Sequence, residues 1–339
     1  MTWDHNDGVR VMLRKILVTG SSGFIGENLV NSLLKEGHSV RGLDKKKGKL
    51  REGIPDRSLY EELVGNITRE DILRRAVEDI DVVFHLASLV TQADVRESRY
   101  REVNVEGTEN LLSACKESGV KRFVYCSTDS VVGRIHQPPA KESDPPHPEN
   151  IYGSTKFEAE KRVLEYSNRM PVAILRPTRV YGPGDWRMLE IFRRIKQKKF
   201  FLIGRGEALF HPVYISDCLQ GFKLASEVRD AEGEIFHIGG AKPVKIRCFL
   251  ETVARELGVR IGKVRFPCSL AGGIAVILEK CCPVLGVTPP FTRRNLEFFT
   301  KTRSYDISKA RKILGYNPEV GVEDGVKKTI QWYREKGYL

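Results

Sequence analysis

Short apolar runs alternate with amphipathic segments between residues 15 and 178. The runs KILVTG at 15–20, DVVFHLAS at 81–88 and VAILRPT at 172–178 are apolar almost throughout, whereas residues 24–37 repeat their apolar side chains every three or four positions. The first pattern is typical of strands buried on both faces of a parallel sheet, and the second of amphipathic helices. The alternation predicts an α/β fold with a doubly wound parallel sheet.

The regular alternation stops after residue 178, where glycine-rich loops and helices follow. One later run, EIFHIGG at 234–240, is typical of a further strand of the same sheet. We therefore predict a polar N-terminal arm, a sheet domain that the chain re-enters, and a smaller second region. The predicted bounds are 1–14 for the arm, 15–178 with returns near 213–240 for the sheet domain, and 179–212 with 241–339 for the second region.

The composition indicates the class of protein. The chain has 339 residues, of which 41% are hydrophobic and 29% charged, as in soluble globular proteins. Its seven cysteines are odd in number and lack CxxC or Cys/His spacing, which argues against a disulfide framework and against a metal site. The first 14 residues lack the apolar core of a signal peptide. We therefore expect a cytoplasmic protein without a metal.

The formal net charge is +12 at pH 7. Such an excess is compatible with an acidic partner, either nucleic acid or an anionic membrane surface. The basic residues are nevertheless dispersed, and the densest group, KKKGK at 45–49, is most simply a solvated loop. We expect no nucleic-acid partner, and contact with a membrane surface stays open.

The segment at 266–291 is apolar but is interrupted before it reaches the roughly 20 residues that a membrane-spanning helix needs. The interrupting residues are Glu279, Lys280 and Pro283. A helix here would carry an apolar face made of Leu270, Ile274, Ile277 and Leu278. Packing of this face in the core is the favoured interpretation, with a substrate lid or a surface contact with lipid as alternatives.

A glycine-rich turn connects the first predicted strand to the first predicted helix. Gly20, Gly23 and Gly26 have GxxGxxG spacing in TGSSGFIG. Such glycines let backbone N–H groups and a helix N-terminus approach a pyrophosphate. The next strand ends at Asp44, 18 residues after Gly26, where an acidic residue binds the adenosine ribose hydroxyls. The context predicts a dinucleotide site.

The residues after the first turn bear on which dinucleotide binds. The Asp44 carboxylate repels a 2′-phosphate and therefore favours NAD over NADP, although Lys45–Lys47 offer the alternative of a phosphate contact. Asn66 follows the third predicted strand. Its side-chain oxygen could accept a hydrogen bond from adenine or cap a helix, and the sequence leaves both open.

Tyr152 and Lys156 lie four residues apart in IYGSTKFEAEK and so share one face of a helix. A phenol with a pKa near 10 is a poor base at neutral pH, but a nearby ammonium and an oxidised nicotinamide favour the phenolate. Such a tyrosine takes a proton from a secondary alcohol while hydride passes to the cofactor. The pair therefore predicts a dehydrogenase-type site.

Motifs along nearly the whole chain resemble those of the extended short-chain dehydrogenase/reductase family, which includes NAD-dependent epimerases and dehydratases and 3β-hydroxysteroid dehydrogenases. The matching stretches are TGSSGFIG, HLAS, VNVEGT, CST, YGSTK, LRPTRVYGPGD, HPVYISD, HIGG and YDISKARKILGYNPEV. The resemblance implies a Rossmann-type sheet domain and a smaller C-terminal substrate-binding domain. It makes Tyr152 the acid/base, Lys156 its partner, and Thr128 the hydroxyl that hydrogen-bonds the reacting oxygen.

The resemblance also implies which residues contact the cofactor: Gly20, Gly23, Phe24, Ile25, Gly26, Asp44, Asn66, Ile67, Leu86, Ala87, Ser88, Tyr152, Lys156 and Pro177. Asn104 either helps to order the site or is a polar helix residue satisfied within the fold. Members of the family commonly form homodimers through two helices beside the sheet, and we expect a homodimer here.

Three positions distinguish the branches of the family and are the predicted substrate-binding residues. Sugar dehydratases place an Asp-Glu pair after the threonine, whereas this chain has Asp129 followed by Ser130, so one of two proton-transfer groups is missing. Epimerases commonly have Asn in place of Arg179 and a diphosphate-binding Arg in place of Phe210. The exchange to Phe210 removes a phosphate donor and adds an apolar wall.

These differences favour an NAD(P)-dependent oxidoreductase that acts on a secondary alcohol or ketone of an apolar, sterol-like small molecule, similar to 3β-hydroxysteroid dehydrogenases. A nucleotide-sugar 4-epimerase with retained NAD is the alternative. A non-catalytic dinucleotide sensor is disfavoured, because Thr128, Tyr152 and Lys156 are all present.

Overall fold

The computed structural model describes residues 13–48, 56–90, 95–262, 265–284, 287 and 293–339. The predicted arm at 1–14 therefore lies outside the described residues except for Leu13 and Arg14. The strands are β1 Lys15–Thr19, β2 Ser39–Asp44, β3 Tyr60–Val64, β4 Val82–His85, β5 Arg122–Cys126, β6 Val172–Pro177, β7 Arg179–Tyr181, β8 Leu202–Ile203, β9 Leu209–Phe210, β10 Pro212–Tyr214, β11 Ile235–Ile238, β12 Val244–Lys245 and β13 Arg265–Phe266.

Helices separate most of these strands. They are α1 Phe24–Lys35, α2 Glu70–Val77, α3 Glu97–Arg101, α4 Gly107–Glu117, α5 Ile151–Glu165, α6 Trp186–Lys196, α7 Ile215–Glu227, α8 Ile246–Glu256, α9 Cys268–Val284, α10 Arg293–Thr300, α11 Ser308–Leu314 and α12 Val322–Glu335. A π-helical turn at Glu102–Glu106 joins α3 to α4.

The main sheet has seven strands in the order β11-β6-β5-β4-β1-β2-β3. The pairs β1–β2, β1–β4, β2–β3, β4–β5 and β6–β11 are all parallel. The strand order reverses direction beside β1, as in doubly wound dinucleotide-binding folds. The predicted α/β sheet is therefore confirmed, and EIFHIGG does supply its additional strand, β11.

Burial explains which strands the sequence pattern revealed. Leu17 and Val18 of β1 and Val83 of β4 are completely buried, as expected of central strands covered on both faces. The edge strand β3 is mostly exposed and has the more polar sequence YEELV. Its side chains need not be apolar, because solvent can reach them.

The chain forms two compact units. The first contains the described residues up to Tyr125 together with Lys161–Val172, and the second contains Cys126–Glu160 with Ala173–Leu339. The predicted bounds of the sheet domain and the second region stay a prediction. In the second unit, the short pairs β7–β10 and β8–β13 are parallel and β9–β12 is antiparallel.

The apolar segment at 266–291 forms α9, but its predicted apolar face is not in the core. Leu270, Ile274 and Ile277 are 53%, 40% and 61% exposed, whereas Ala271 and Ala275 are buried. The helix thus turns these two alanines inward and these three large aliphatic side chains outward, while Leu278 is half-buried. The favoured interpretation of core packing is wrong for these three residues. Residues 285–286 and 288–291 lie outside the described residues.

Among the described helices, none combines the length and the apolar character that a membrane crossing requires.

Candidate active site

The glycine turn between β1 and α1 has the compact form that its sequence predicts. The Gly20 N–H donates to the Leu43 carbonyl at 2.8 Å, and the Gly23 N–H to the Gly20 carbonyl at 3.0 Å. A Cβ on Gly26 would lie 2.1 Å from the Gly20 oxygen, so only glycine fits there. Among the described residues, no side chain caps the N-terminus of α1, where Phe24 and Ile25 lie in the first turn. The positive end of the helix can therefore receive a pyrophosphate.

Asp44, at the end of β2, lies beside this turn. Its Oδ2 accepts a hydrogen bond from the Ser22 N–H at 3.1 Å, and its Oδ1 accepts one from the Lys46 N–H at 3.3 Å. Two backbone donors thus hold the carboxylate in place next to the glycine loop. The predicted ribose-binding carboxylate and the predicted pyrophosphate loop are brought together.

The loop after β4, Leu86–Ser88, also lies next to the glycine turn. The Leu86 N–H donates to the Thr19 carbonyl at 3.1 Å, and the Ala87 N–H donates to Thr19 Oγ1 at 3.2 Å. Further along, Asn104 makes two hydrogen bonds with the backbone of Leu89, at 2.7 and 3.1 Å. Asn104 orders this loop through both bonds and belongs to a π-helical turn, which the sequence did not indicate.

His85 is a second polar residue of this region that sequence reasoning did not single out. It is completely buried, and its ring nitrogens lie 2.6 Å from Thr19 Oγ1 and 3.0 Å from Thr108 Oγ1. The ring therefore connects β1, β4 and α4. The sequence could have identified His85 as a polar residue of the interior, because it is a histidine in an otherwise apolar strand.

Asn66 lies after β3, and Ile67 beside it is buried. The Asn66 Oδ1 accepts a hydrogen bond from the Thr68 N–H at 3.2 Å. The N-cap of α2 is Arg69, so the helix-cap alternative for Asn66 does not hold. An amide oxygen has two lone pairs, and the contact with adenine stays a prediction.

The loop after β5 contains Thr128, Asp129 and Ser130. It forms a single 3₁₀ turn at Asp129–Val131. The Thr128 Oγ1 accepts from the Ser130 N–H at 3.2 Å and donates to Asp129 Oδ1 at 3.3 Å. The other oxygen of Asp129 accepts from the Tyr305 hydroxyl at 3.3 Å. The side chain of Asp129 is therefore fixed by two hydroxyl groups, and Tyr305 is a site residue that sequence reasoning missed.

Tyr152 lies in the first turn of α5, and this turn packs closely on the Thr128 loop. The Asn150 Oδ1 accepts a hydrogen bond from the Gly153 N–H at 2.9 Å. A Cβ on Gly153 would lie 2.6 Å from the Ser130 carbonyl oxygen. The glycine between the two predicted catalytic residues of YGSTK therefore permits a backbone contact that brings the start of α5 against the threonine loop.

Lys156 lies one helical turn beyond Tyr152 and is 1% exposed. Burial lowers the pKa of its ammonium from 10.5 to about 8, because the charged form loses its hydration, and the nearby Glu160 opposes this shift. A lysine in this state is still largely charged at neutral pH.

A buried ion pair lies one turn further along α5. Glu160 accepts from Arg176 Nε at 2.9 Å and from Arg176 Nη2 at 2.7 Å, and Ser127 Oγ donates to the same carboxylate. Sequence reasoning missed this cluster. Two signals were available: the four-residue spacing of Tyr152, Lys156 and Glu160, and an arginine within the apolar strand VAILRP.

The remaining predicted residues lie near the end of β6 and beyond it. Pro177 ends β6 opposite Ile238 of β11. Phe210 is only 1% exposed, and its ring packs against Phe249 and Phe298 at centroid distances of 5.0 and 5.6 Å. Its contact with substrate stays a prediction. The Nε of Arg179 is buried.

Comparison with known proteins identifies the family. The model of the NAD dependent epimerase/dehydratase family matches residues 16–239. The chain belongs to this family. The relationship extends beyond the matched region, since a 3 beta-hydroxysteroid dehydrogenase/Delta 5-->4-isomerase of Mycobacterium tuberculosis is 31% identical over 95% of this chain and 90% of its own.

The chain is also similar to two proteins whose names state different activities. A sterol-4-alpha-carboxylate 3-dehydrogenase, decarboxylating, of Mus musculus is 29% identical over 94% of this chain and 90% of its own. The solved structure of a UDP-glucuronic acid 4-epimerase from Bacillus cereus in complex with NAD is 27% identical, covers 95% of this chain and 99% of its own, and superposes with a TM-score of 0.77.

The family assignment and the local geometry agree on the cofactor class. The compact glycine turn, the uncapped N-terminus of α1 and the carboxylate of Asp44 form a donor and acceptor set that fits a nicotinamide dinucleotide. The protein is an NAD(P)-dependent enzyme of the extended short-chain dehydrogenase/reductase type, and the resemblance stated from its motifs is confirmed.

Proposed function

We propose that this enzyme interconverts a secondary alcohol and a ketone on an apolar, sterol-like substrate, with NAD as the cofactor. The observation that supports this most directly is the packing of the Tyr152 turn of α5 on the Thr128 loop, with Lys156 buried one turn away. Two relatives bear names that specify a hydroxysteroid or a sterol dehydrogenase.

In the oxidative direction, the Tyr152 phenolate accepts the proton of the substrate hydroxyl. The Lys156 ammonium favours the phenolate, since a positive charge nearby stabilises the anionic form. The Thr128 hydroxyl, now donating to Asp129 at 3.3 Å, turns to donate to the substrate oxygen. The glycine turn would hold the nicotinamide dinucleotide, which would supply the acceptor for the hydride that the carbinol carbon loses. Reduction of a ketone uses the same residues in reverse.

Elimination of water is not part of this proposal. The position after Asp129 holds Ser130, whose backbone N–H donates a hydrogen bond to Thr128 Oγ1 at 3.2 Å. A dehydratase needs a second carboxyl group there as a proton-transfer group.

The proposal is tested with purified protein, NAD or NADP, and a panel of 3β-hydroxysteroids, other apolar secondary alcohols and UDP-sugars. Cofactor absorbance and sugar stereochemistry are followed together. Net reduction of NAD with an apolar alcohol is expected. Inversion of a UDP-sugar without net reduction would instead establish the 4-epimerase.

Tyr152→Phe separates catalysis from binding in the same assay. It should abolish turnover and leave the affinity for NAD largely unchanged, because only the proton-accepting oxygen is removed. Thr128→Ser should retain most activity, and Thr128→Val should lose it, because serine keeps the hydroxyl while valine keeps only the shape. A fully active Tyr152→Phe enzyme would overturn the assignment of the base.

We also propose a peripheral contact between α9 and an anionic membrane surface. The exposed Leu270, Ile274 and Ile277 on α9, and Phe201 at 48% exposure before β8, are apolar side chains in a chain of net charge +12. Partial burial of such residues in a lipid interface, assisted by positive charge, is the usual mode of peripheral attachment. The expected homodimer and the expected cytoplasmic location stay predictions.

A further inference from the structure

Two hydroxyl groups share the carboxylate of Asp129. Thr128 Oγ1 donates to its Oδ1 and the Tyr305 hydroxyl donates to its Oδ2, each at 3.3 Å. All three residues belong to the second unit, although Tyr305 lies 176 positions beyond Asp129 in the chain. The three side chains therefore form a short hydrogen-bonded series that ends at the predicted catalytic hydroxyl.

Tyr305 is held firmly by its surroundings. Its side chain is buried, and its backbone N–H donates to His211 Nδ1 at 3.2 Å. The rings of His211 and His237 lie at centroid distances of 6.2 and 5.2 Å from its own ring. The residues on either side of it form two backbone hydrogen bonds with Ala140, at 2.8 and 2.7 Å. The Tyr305 hydroxyl is thus a fixed point against which Asp129 rests.

The direction of the bond between Tyr305 and Asp129 follows from its chemistry. Burial, and then the charge of Asp129, raises the pKa of the Tyr305 hydroxyl well above its ordinary value of 10. The phenol therefore keeps its proton, and a carboxylate can only accept. Tyr305 is a permanent donor to Asp129.

Thr128, in contrast, has to change its acceptor in the proposed reaction. A hydroxyl has one hydrogen to donate, so Thr128 cannot serve Asp129 and the substrate oxygen at once. The substrate oxygen becomes the better acceptor as its proton leaves, and at 3.3 Å the bond to Asp129 is longer than the roughly 2.8 Å usual between oxygens. When Thr128 turns, the half-buried Asp129 carboxylate loses a donor.

We propose that Tyr305 is a positioning residue, which holds the Asp129 carboxylate while the Thr128 hydroxyl transfers to the substrate oxygen. Because Tyr305 stays on Oδ2, Asp129 keeps one donor and does not follow Thr128. A half-buried carboxylate without any donor is costly, so Tyr305 lowers the cost of the transfer. This inference rests on the proposed function through the role of Thr128, and it adds a residue from a distant part of the chain to the site.

Tyr305→Phe tests the inference, because it removes the hydroxyl and keeps the ring between the two histidines. Turnover is measured with NAD and dehydroepiandrosterone or 2-decanol, and separately with UDP-glucose. The value of kcat should fall about 10-fold, the effect of one hydrogen bond, while KM and the affinity for NAD should not change. The loss is confined to kcat because Thr128 leaves Asp129 only in the transition state.

The same substitution in an Asp129→Ala background separates positioning from a general structural role. Tyr305 acts through the Asp129 carboxylate, so Tyr305→Phe should cause no further fall in kcat once this carboxylate is absent. A structural role would lower kcat by the same factor in both backgrounds.

Tyr316→Phe is the matched control. Tyr316 is another buried tyrosine of the second unit, and its hydroxyl donates to the Gly239 carbonyl at 2.8 Å. The substitution should lower the urea midpoint, as expected for a lost buried hydrogen bond, and leave kcat unchanged. An equal fall in kcat for Tyr305→Phe and Tyr316→Phe would mean that any buried hydroxyl has this effect, which overturns the proposal.

A second measurement needs no turnover. In protein with isotope-labelled tyrosine Cζ, the NMR signal of Tyr305 is assigned by its loss in Tyr305→Phe. Thr128→Val takes one donor from Asp129, so the Tyr305 bond should strengthen and its signal should move, whereas the Tyr316 signal should stay in place. A Tyr305 signal that ignores Thr128→Val overturns the proposal, whatever reaction the enzyme catalyses.

Failure of this inference and failure of the proposed function give different results. An unchanged kcat in Tyr305→Phe, or equal falls with and without the Asp129 carboxylate, overturns the role of Tyr305 even when apolar alcohols are oxidised. If the wild-type protein inverts UDP-glucose instead, the proposed substrate is wrong. The same variants then decide the role of Tyr305 on that reaction, and a 10-fold loss that depends on Asp129 supports it there.

Discussion

Glu160 and Arg176 form a two-point ion pair in which both side chains are almost inaccessible, at 1% and 2% exposure. Ser127, directly before Thr128, donates to the same carboxylate, and Lys156 lies one turn before Glu160 on α5. The ion pair thus connects the threonine loop, α5 and β6. Its geometry is that of a structural support for the predicted catalytic residues.

Breaking this pair should be strongly destabilising. Arg176→Met leaves the Glu160 charge buried without its partner, and removal of one member of a buried pair costs about 3–5 kcal/mol. The free energy of unfolding in urea measures the loss. The double variant Arg176→Met/Glu160→Met should lose less than the sum of the single variants, because it leaves no unpaired charge.

Disruption of an exposed pair on α6 provides the comparison. Arg194 and Glu190 are 51% and 59% exposed, so Arg194→Met should change stability by less than about 1 kcal/mol. Equal losses for the Arg176 and Arg194 variants would contradict a special contribution of the buried pair.

Lys156 should make the stability of the protein depend on pH. The pKa of its ammonium is about 8 in the folded protein and 10.5 in the unfolded chain, so between these values the unfolded state holds one proton more. Stability from this group therefore rises as the pH increases from about 8 to 10.5 and is lowest below that window. Lys156→Met should stabilise the cofactor-free protein at pH 7 by about 3 kcal/mol and abolish its activity.

The measurement is urea unfolding of the wild-type and Lys156→Met proteins at pH 7 and pH 9. The stability difference between them should shrink at the higher pH. Lys161→Met, which removes an exposed lysine from the same helix, should show no such dependence. A difference for Lys156→Met that is the same at both pH values would contradict the lowered pKa.

The sheet was predictable because burial on both faces forces central strands such as β1 and β4 to be continuously apolar. The edge strand β3 has no such signature, since solvent reaches it. For the site, the glycine turn and the Tyr152–Lys156 pair were readable because they are local in sequence. Tyr305 was not, because it meets Asp129 across 176 positions of the chain.

From apolar periodicity alone, the large aliphatic face of α9 was expected in the core, whereas the structure exposes it. The pattern locates an apolar face on a helix but does not say what covers it. Ala271 and Ala275 were too small to attract attention, yet they form the buried side.

Gly153 should be required for the geometry of the site and not merely tolerated. Alanine normally stabilises a helix by about 1 kcal/mol relative to glycine. At position 153, however, its Cβ would lie 2.6 Å from the Ser130 carbonyl oxygen, which is backbone and cannot swing away. Gly153→Ala should therefore lower both the free energy of unfolding and kcat, as the Tyr152 turn is pushed from the Thr128 loop.

Gly273→Ala is the control, because it adds the same methyl group to α9 at a point where, apart from the helix's own backbone, no atom of the described residues lies within 4 Å. It should be neutral or stabilising and should leave kcat unchanged. If Gly153→Ala behaved in the same way, the close contact would not constrain the site.

Asp44 should determine the choice between NAD and NADP. Its carboxylate is held beside the glycine turn by the Ser22 N–H, and its negative charge opposes a 2′-phosphate. Asp44→Asn keeps the shape and removes the charge, so it should raise kcat/KM for NADP relative to NAD by about 10-fold or more, equivalent to about 1.4 kcal/mol.

Asp79→Asn removes a charge from an aspartate of the same unit that is 76% exposed, and it should leave the ratio unchanged. The ratio is measured with one substrate under both cofactors. A preference for NADP in the wild-type enzyme would show that Lys45–Lys47, which are exposed beside Asp44, serve a phosphate after all.

The exposed face of α9 should direct the protein to anionic vesicles. Ile274→Gln/Ile277→Gln removes two apolar side chains that are 40% and 61% exposed, so the fold should be unaffected while the partition into lipid falls by about 10-fold or more. Flotation with phosphatidylglycerol-containing vesicles, compared with phosphatidylcholine alone, measures the effect. Val64→Gln, at an exposed apolar residue on β3, should bind like wild type. Because the attraction is partly electrostatic, added salt should weaken binding of the wild-type protein, and equal binding of the wild-type and doubly substituted proteins would exclude α9 as the contact.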